Sequence, residues 1–105
     1  MTTAETIQLA GRTLAQSAST PARVILFGSQ ARGDADAGSD FDFLVIEREV
    51  ESRFEETVRL DRALADLRVP ADVMVVSEAY AEEWGSVSGT ALHQALNEGR
   101  LVAST

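Results

Sequence analysis

One stretch constrains this chain more than any other: Gly28-Ser29-Gln30-Ala31-Arg32-Gly33, followed by Ser39-Asp40-Phe41-Asp42-Phe43-Leu44-Val45. A Gly-Ser turn comes directly after the apolar run Val24-Ile25-Leu26-Phe27, and ten residues later two aspartates, one apart, open a second apolar run. In a strand, residues i and i+2 point to the same face. Asp40 and Asp42 are therefore expected side by side, with Phe41 and Phe43 entering the opposite face. Two adjacent carboxylates repel, and burying them is costly unless a cation neutralises them. A carboxylate pair beside a phosphate-sized Gly-Ser turn suits a divalent metal and a nucleoside triphosphate.

The segments around this stretch alternate between helical and strand patterns. Thr2 and Glu5 have capping-box spacing and open a helix to about Ser17, with Ile7, Ala10, Leu14 and Ala18 on one stripe, and Pro21 ends it. Arg23 to Phe27 reads as a strand buried on both faces, Ser29 to Arg32 as a short helix, and Asp34 to Ser39 as a surface loop. Asp40 to Glu47 is the second strand. A second capping box, Ser52 and Glu55, opens a helix to about Arg68 with Phe54, Val58, Leu60, Leu64 and Leu67 as its apolar set. After Pro70, Ala71 to Ser77 is a third strand, Glu78 to Trp84 a short helix, and Ser86 to Glu98 a last helix with Gly99 as its left-handed terminator. Leu101-Val102 adds an edge strand. The order predicts an α/β fold with a small mixed sheet flanked by helices.

At 105 residues the chain is expected to form one domain with one modest core. It has no cysteine, which excludes disulfides and thiolate metal sites. No apolar run approaches the roughly 20 residues of a membrane span, and the N-terminus lacks the pattern of a signal peptide, so a cytoplasmic protein without membrane contact is expected. The net charge is -8, and all nine basic residues are arginine. Such a surface discourages direct nucleic-acid binding, which needs a positive field, and suits a basic protein partner.

Asp72 enters the third strand just as Asp40 enters the second, so adjacent strands would bring three carboxylates to one end of the sheet. Oxygen ligands without imidazole or thiolate select Mg²⁺ or Mn²⁺. Asp40, Asp42 and Asp72 are thus the candidate metal ligands, with two ions clamping an in-line phosphoryl transfer. Asp72 would sit by the metal nearest the nucleophile and help take its proton. Gly28 and Ser29 would offer backbone N–H groups and a hydroxyl to a triphosphate, and Arg32 is a further candidate phosphate contact. Competing motifs fail here. The Gly28…Gly33 spacing matches a P-loop, but Asp34 and Ala35 stand where Lys and Ser/Thr are required. A calcium loop over 34–45 has Ser39 for its glycine and Val45 for its bidentate Glu. No dinucleotide fingerprint follows a strand.

The remaining candidates read blandly. Asp34 and Asp36 belong to a solvated loop, His93 to an exposed helix face, and Glu78, Glu82 and Glu83 to an acidic surface, while Tyr80 and Trp84 read as core residues.

The pattern Gly-Ser-x-Ala-x-Gly…Ser-Asp-x-Asp-x-x-Val, with Asp72 on a later strand, resembles the minimal nucleotidyltransferases of the DNA polymerase β superfamily. The resemblance covers nearly the whole chain, residues 1–105, and implies a polymerase β-like nucleotidyltransferase fold in a single domain. It implies that Gly28 and Ser29 bind the triphosphate of ATP and that Asp40, Asp42 and Asp72 bind two Mg²⁺ ions. Gln30 stands where many members carry Arg. Many members are antitoxins encoded beside an all-helical HEPN ribonuclease toxin, and some neutralise it by transferring AMP to a toxin tyrosine. The expectation is therefore an AMP-transferring antitoxin (a protein adenylyltransferase). Its rivals are a non-catalytic antitoxin that masks a basic toxin by binding alone, and nucleotidyl transfer to a small molecule.

Overall fold

The computed structural model describes residues 1–36 and 38–105; Ala37, inside the expected Asp34–Ser39 loop, lies outside the described residues. Helix α1 (Thr3–Ser17) opens with the capping box the sequence predicts: Thr2 accepts from the Glu5 amide at 3.1 Å, and Glu5 accepts from the Thr2 amide at 3.1 Å. Strand β1 (Ala22–Phe27) follows, then α2 (Ser29–Arg32), β2 (Phe41–Glu47), α3 (Arg53–Ala65), β3 (Ala71–Ser77), α4 (Glu78–Trp84), α5 (Ala91–Glu98) and β4 (Arg100–Ser104). The sheet order is β3-β2-β1-β4. β1 runs antiparallel to both its neighbours, while β2 and β3 are parallel, a pairing that needs the crossover supplied by α3.

Strand alternation divides the core between the two faces. Val24, Leu26, Phe41, Phe43, Val45 and Val75 pack with Ile7, Leu14, Leu60 and Leu64 of α1 and α3. Ile25, Phe27, Leu44, Ile46 and Val76 pack instead with Ala81, Leu92 and Ala95 of α4 and α5. β1 is buried on both faces from Val24 to Phe27, as its continuous apolar run predicts. Phe43, Leu14 and Leu26 are fully buried, each worth about 1.5–3 kcal/mol relative to exposure.

Several expectations need correction. α3 ends at Ala65 rather than near Arg68, where the chain turns through a left-handed Arg68 (φ 57°). Its buried stripe is Glu56, Leu60 and Leu64; Phe54 lies about half a turn away and is 78% exposed. α5 begins at Ala91 instead of Ser86, because Thr90 caps the His93 amide and Gly89 before it takes φ +85°. Gly99 is extended (φ -78°, ψ 170°), not left-handed. It is needed for closeness, since a Cβ there would strike the Ala95 carbonyl and Ile25 of β1. Tyr80 and Trp84 are 39% and 48% exposed rather than core, because α4 buries only Ala81. His93 is partly buried, with Nδ1 3.0 Å from the Gly85 carbonyl oxygen. Among the described residues no helix is long and apolar enough to cross a membrane.

Candidate functional site

Strand register assembles the candidate residues. Across the antiparallel β1–β2 pair, Phe27 stands opposite Asp42; across the parallel β2–β3 pair, Asp42 stands opposite Asp72. The chain therefore leaves β1 at Gly28 beside the Asp42 carboxylate. Gly28 has φ 75° and ψ -158°, a conformation that favours glycine. A Cβ built on it would collide with Asp42 Oδ2. Turn backbone and carboxylate are thus packed with no side chain between them. Gly28 also caps α2: its carbonyl accepts from the Ala31 and Arg32 amides, both at 3.1 Å. The Ser29 and Gln30 amides, at the start of that turn, have no intrahelical acceptor.

Asp72 is level with Asp42, not with Asp40 as the sequence suggested. β2 begins at Phe41, so Asp40 directly precedes the strand. The expected alternation holds: the rings of Phe41 and Phe43 stack at 6.3 Å in the core facing α1 and α3. Asp42 has the parity of Leu44 and Ile46, on the α4–α5 face. Asp40 and Asp72 are exposed and Asp42 is partly buried, so the group forms an open face.

Electrostatics tie these residues together. Burial, then the charges of Asp72 and Asp40, push the Asp42 carboxyl above its ordinary value, while the Arg32 guanidinium pulls the other way. Arg32 itself lies nearer other carboxylates, with Nε 3.2 Å from Asp34 Oδ2 and Nη1 3.6 Å from Glu98 Oε2. Gln30 donates to the Ser39 carbonyl at 3.3 Å and so ties α2 to the segment that presents Asp40. Asp36 is spent on its own loop, accepting from the Gly38 amide at 2.9 Å and the Ser39 hydroxyl at 3.2 Å.

Two participants escaped the sequence reading. Asp61 on α3 has its carboxyl raised by burial and by the charge of Asp72, which places a fourth acid near the group. Glu98, at the end of α5, reaches Arg32. Neither belongs to a local motif; only the packing of their helices brings them in.

Among the described residues no three His, Cys, Asp or Glu side chains close on one point as a ready-made metal cage. Mg²⁺ does not require one, because it usually takes one or two carboxylates and completes its octahedron with water and phosphate oxygens. The all-oxygen donors and the crowded charge at Asp42 suit such an ion chemically.

A family model described as a nucleotidyltransferase domain matches residues 11–99. No curated protein matches the sequence. Among solved structures, one described as a nucleotidyltransferase from Sulfolobus solfataricus has 22% identity and a TM-score of 0.63, covering 93% of this chain and 77% of its own. A toxin–antitoxin structure with AMP-PNP has 19% identity and a TM-score of 0.64, with 99% and 75% covered. A tri-AMPylated HEPN toxin in complex with an MNT antitoxin, from Shewanella oneidensis, has 18% identity and a TM-score of 0.56, with 94% and 73% covered.

Proposed function

This chain belongs to the nucleotidyltransferase domain family, and we propose that it transfers AMP from ATP to a hydroxyl, a tyrosine of a HEPN-type toxin, and so acts as an antitoxin. The observation that carries this reading is the register of Asp42 with Asp72, flush against the Gly28-Ser29 turn and beside Asp40. The solved AMP-PNP complex and the AMPylated-toxin complex with the same fold support ATP and a protein acceptor.

Placement supports the following roles for the residues. The Ser29 and Gln30 amides and the Ser29 hydroxyl receive triphosphate oxygens. Gly28 lets those oxygens approach Asp42, since a side chain there has no room. Asp40, Asp42 and Asp72 would hold Mg²⁺, which when bound neutralises the phosphates and polarises the α-phosphate. The acceptor oxygen forms a bond to the α-phosphorus, the bond to the β-phosphate oxygen breaks, and pyrophosphate leaves. Asp72 is exposed at the edge of the sheet, where an incoming protein can reach it, and accepts the hydroxyl proton. Because the site is an open face, the acceptor must bring its own walls, which favours a protein over a small molecule.

The net charge of -8 supports a second reading, a non-catalytic antitoxin that holds a basic toxin by charge alone. One experiment separates the two. The chain is incubated with α-labelled ATP, Mg²⁺ and the protein encoded beside it, and the neighbour is weighed by intact mass spectrometry. Transfer adds AMP units with wild type and none with Asp42→Ala. An unmodified neighbour whose toxicity is still suppressed favours masking.

A further inference from the structure

Helix α4 carries more than its packing requires. It buries only Ala81, yet it presents two large aromatic residues, Tyr80 and Trp84, one turn apart and both exposed. Their rings lie 6.3 Å apart at 38°, and the guanidinium carbon of Arg53 sits 5.1 Å from the centre of the Tyr80 ring. Each ring is therefore held by a neighbour while remaining open to water. Side chains already held in place lose little freedom on binding, and Trp, Tyr and Arg are the residues most enriched among interface anchors.

The charges of α4 point the same way. Glu78, Glu82 and Glu83 are exposed, and among the described residues none of them makes an ion pair. Glu78 sits in the first turn, where the helix dipole favours an anion. Glu82 and Glu83 sit in the last turn, where the dipole opposes them and no base offsets them. Their carboxylates do nothing for α4 itself, and their charge is left for a cation outside the chain. Glu78 and Glu82 also line a groove of about 380 Å³ together with Ile46, Ala81 and Leu96. Arg23 lines it too, without pairing with either acid. An arginine or lysine fits there, with its stem on the apolar lining and its head at the carboxylates.

We propose that α4 is the docking surface for the acceptor protein, which meets it with a basic polypeptide face. Apolar side chains of the acceptor cover Tyr80 and Trp84, and its arginines or lysines face Glu82 and Glu83. This rests on the reading that the acceptor is a protein. Placement supports it: α4 packs on β2 and β3, on the sheet face of Asp42, and follows directly from β3, whose other end bears Asp72. Asp72 lies about 17 Å along that strand from Ser77, where α4 begins, a span that one protein surface covers. A second copy of this chain is a poor occupant, since a two-fold contact sets the same acidic patch against itself. Nucleic acid is repelled by the same charge.

Trp84 is the chain's only tryptophan, so labelling with 5-fluorotryptophan gives this surface a single ¹⁹F resonance. The labelled chain is titrated with the protein encoded beside it, and affinity is measured in parallel by calorimetry. The resonance should shift saturably in wild type and in Asp42→Ala alike. Trp84→Ala and Tyr80→Ala should each weaken binding about tenfold or more. Glu82→Lys combined with Glu83→Lys should weaken it about tenfold at low salt and much less at high salt. Leu101→Ser, an exposed change on β4 at the other edge of the sheet, should leave affinity unchanged. In the AMP-transfer assay, Trp84→Ala should raise KM for the acceptor and leave kcat and ATP affinity unchanged. A saturable shift without AMP transfer sinks the enzymatic reading and keeps the docking surface. AMP transfer with no shift, or with an unaltered KM in Trp84→Ala, does the reverse, and the absence of both overturns both. Equal weakening by Leu101→Ser, an equal shift with poly-arginine, or a shift of the chain alone with rising concentration would also overturn the proposal, the last in favour of a second copy.

Discussion

Asp42 and Asp72 stand opposite each other across the parallel β2–β3 pair, at the end of the sheet where β1 hands the chain to the Gly28 turn. Their proximity costs energy in the protein without ligand. Like charges at neighbouring strand positions repel, and Asp42 is also partly buried, so its carboxyl is raised above the ordinary range. A group whose folded pKa is raised favours the protonated fold, and its contribution to stability declines as pH climbs past its unfolded value. The arrangement makes sense where a cation collects the charge.

Replacing Asp40 and Asp42 together by Asn should therefore leave the melting temperature of the free protein unchanged or raise it by a few degrees. The gain should shrink at pH values where the carboxyls are already protonated. Calorimetry across pH checks this, and a fall of many degrees would mark the aspartates as structural. The same double variant should show no AMP transfer.

Gly28→Ala places a methyl group against Asp42 Oδ2 at a backbone angle that alanine resists. The strain should cost about 1–3 kcal/mol of stability, readable in a urea melt. Nucleotide binding should weaken further than stability alone explains, because the turn must move off Asp42 to make room. A variant as stable as wild type would show that the close packing of turn and carboxylate is unimportant.

Part of the candidate site's geometry is legible in sequence because it rests on local facts. Strand alternation alone separates Asp42 from Phe41 and Phe43, and a glycine at the end of an apolar run signals the turn. Pairing register is not local: chain order sets Asp72 level with Asp40, whereas hydrogen bonding sets it level with Asp42. Phe54 departs from its expected place in the core for a related reason. Its spacing to Val58 is helical, but the face that docks is chosen by Leu60 and Leu64, which pack against the sheet. Glu47 closes the apolar run Phe43–Ile46, and only the tertiary approach of Glu56 and Thr20 explains why it is buried.

Glu47 gives a pH dependence of its own. Its folded carboxyl is raised from 4.5 to about 7 by burial and by Glu56, so folding takes up protons across that window. Stability should fall as pH rises from about 4.5 to 7, by roughly 1–3 kcal/mol. Glu56 acts oppositely: the Glu47 proton, Ser19 and Arg59 outweigh burial and hold its carboxyl low, so stability also falls in acid below 4.5. Glu47→Gln, whose amide can donate to Glu56, should flatten the upper window and stabilise the protein above neutral pH. Denaturant melts at several pH values check both limbs.

Arg32 is held by Asp34 and Glu98, which compete with any phosphate for its guanidinium. Glu98→Gln should tighten ATP binding about two- to threefold at low salt, with the advantage fading as salt rises, because exposed ion pairs are weak and screened. Arg32→Ala should weaken binding and make the Glu98 change silent. If Glu98→Gln still tightens binding without Arg32, the effect is one of general charge and Arg32 is not a phosphate contact.

ATP should bind only with Mg²⁺ or Mn²⁺. Asp40, Asp42, Asp72 and Asp61 together oppose a triphosphate, and Arg32, whose charge acts on Asp42, is already engaged by Asp34 and Glu98. At about 4 Å, two unit charges interact by roughly 4 kcal/mol near a protein surface, so several uncompensated carboxylates outweigh what the turn amides can offer. With a divalent ion held by Asp40, Asp42 and Asp72, that repulsion would be neutralised. Titration calorimetry with Mg²⁺ and then with EDTA should show binding only in the first case. Asp42→Asn should weaken the Mg²⁺-dependent binding while partly restoring the metal-free binding, since it removes a ligand and a repelling charge together. Equal affinity in both conditions would mean that these aspartates hold no metal.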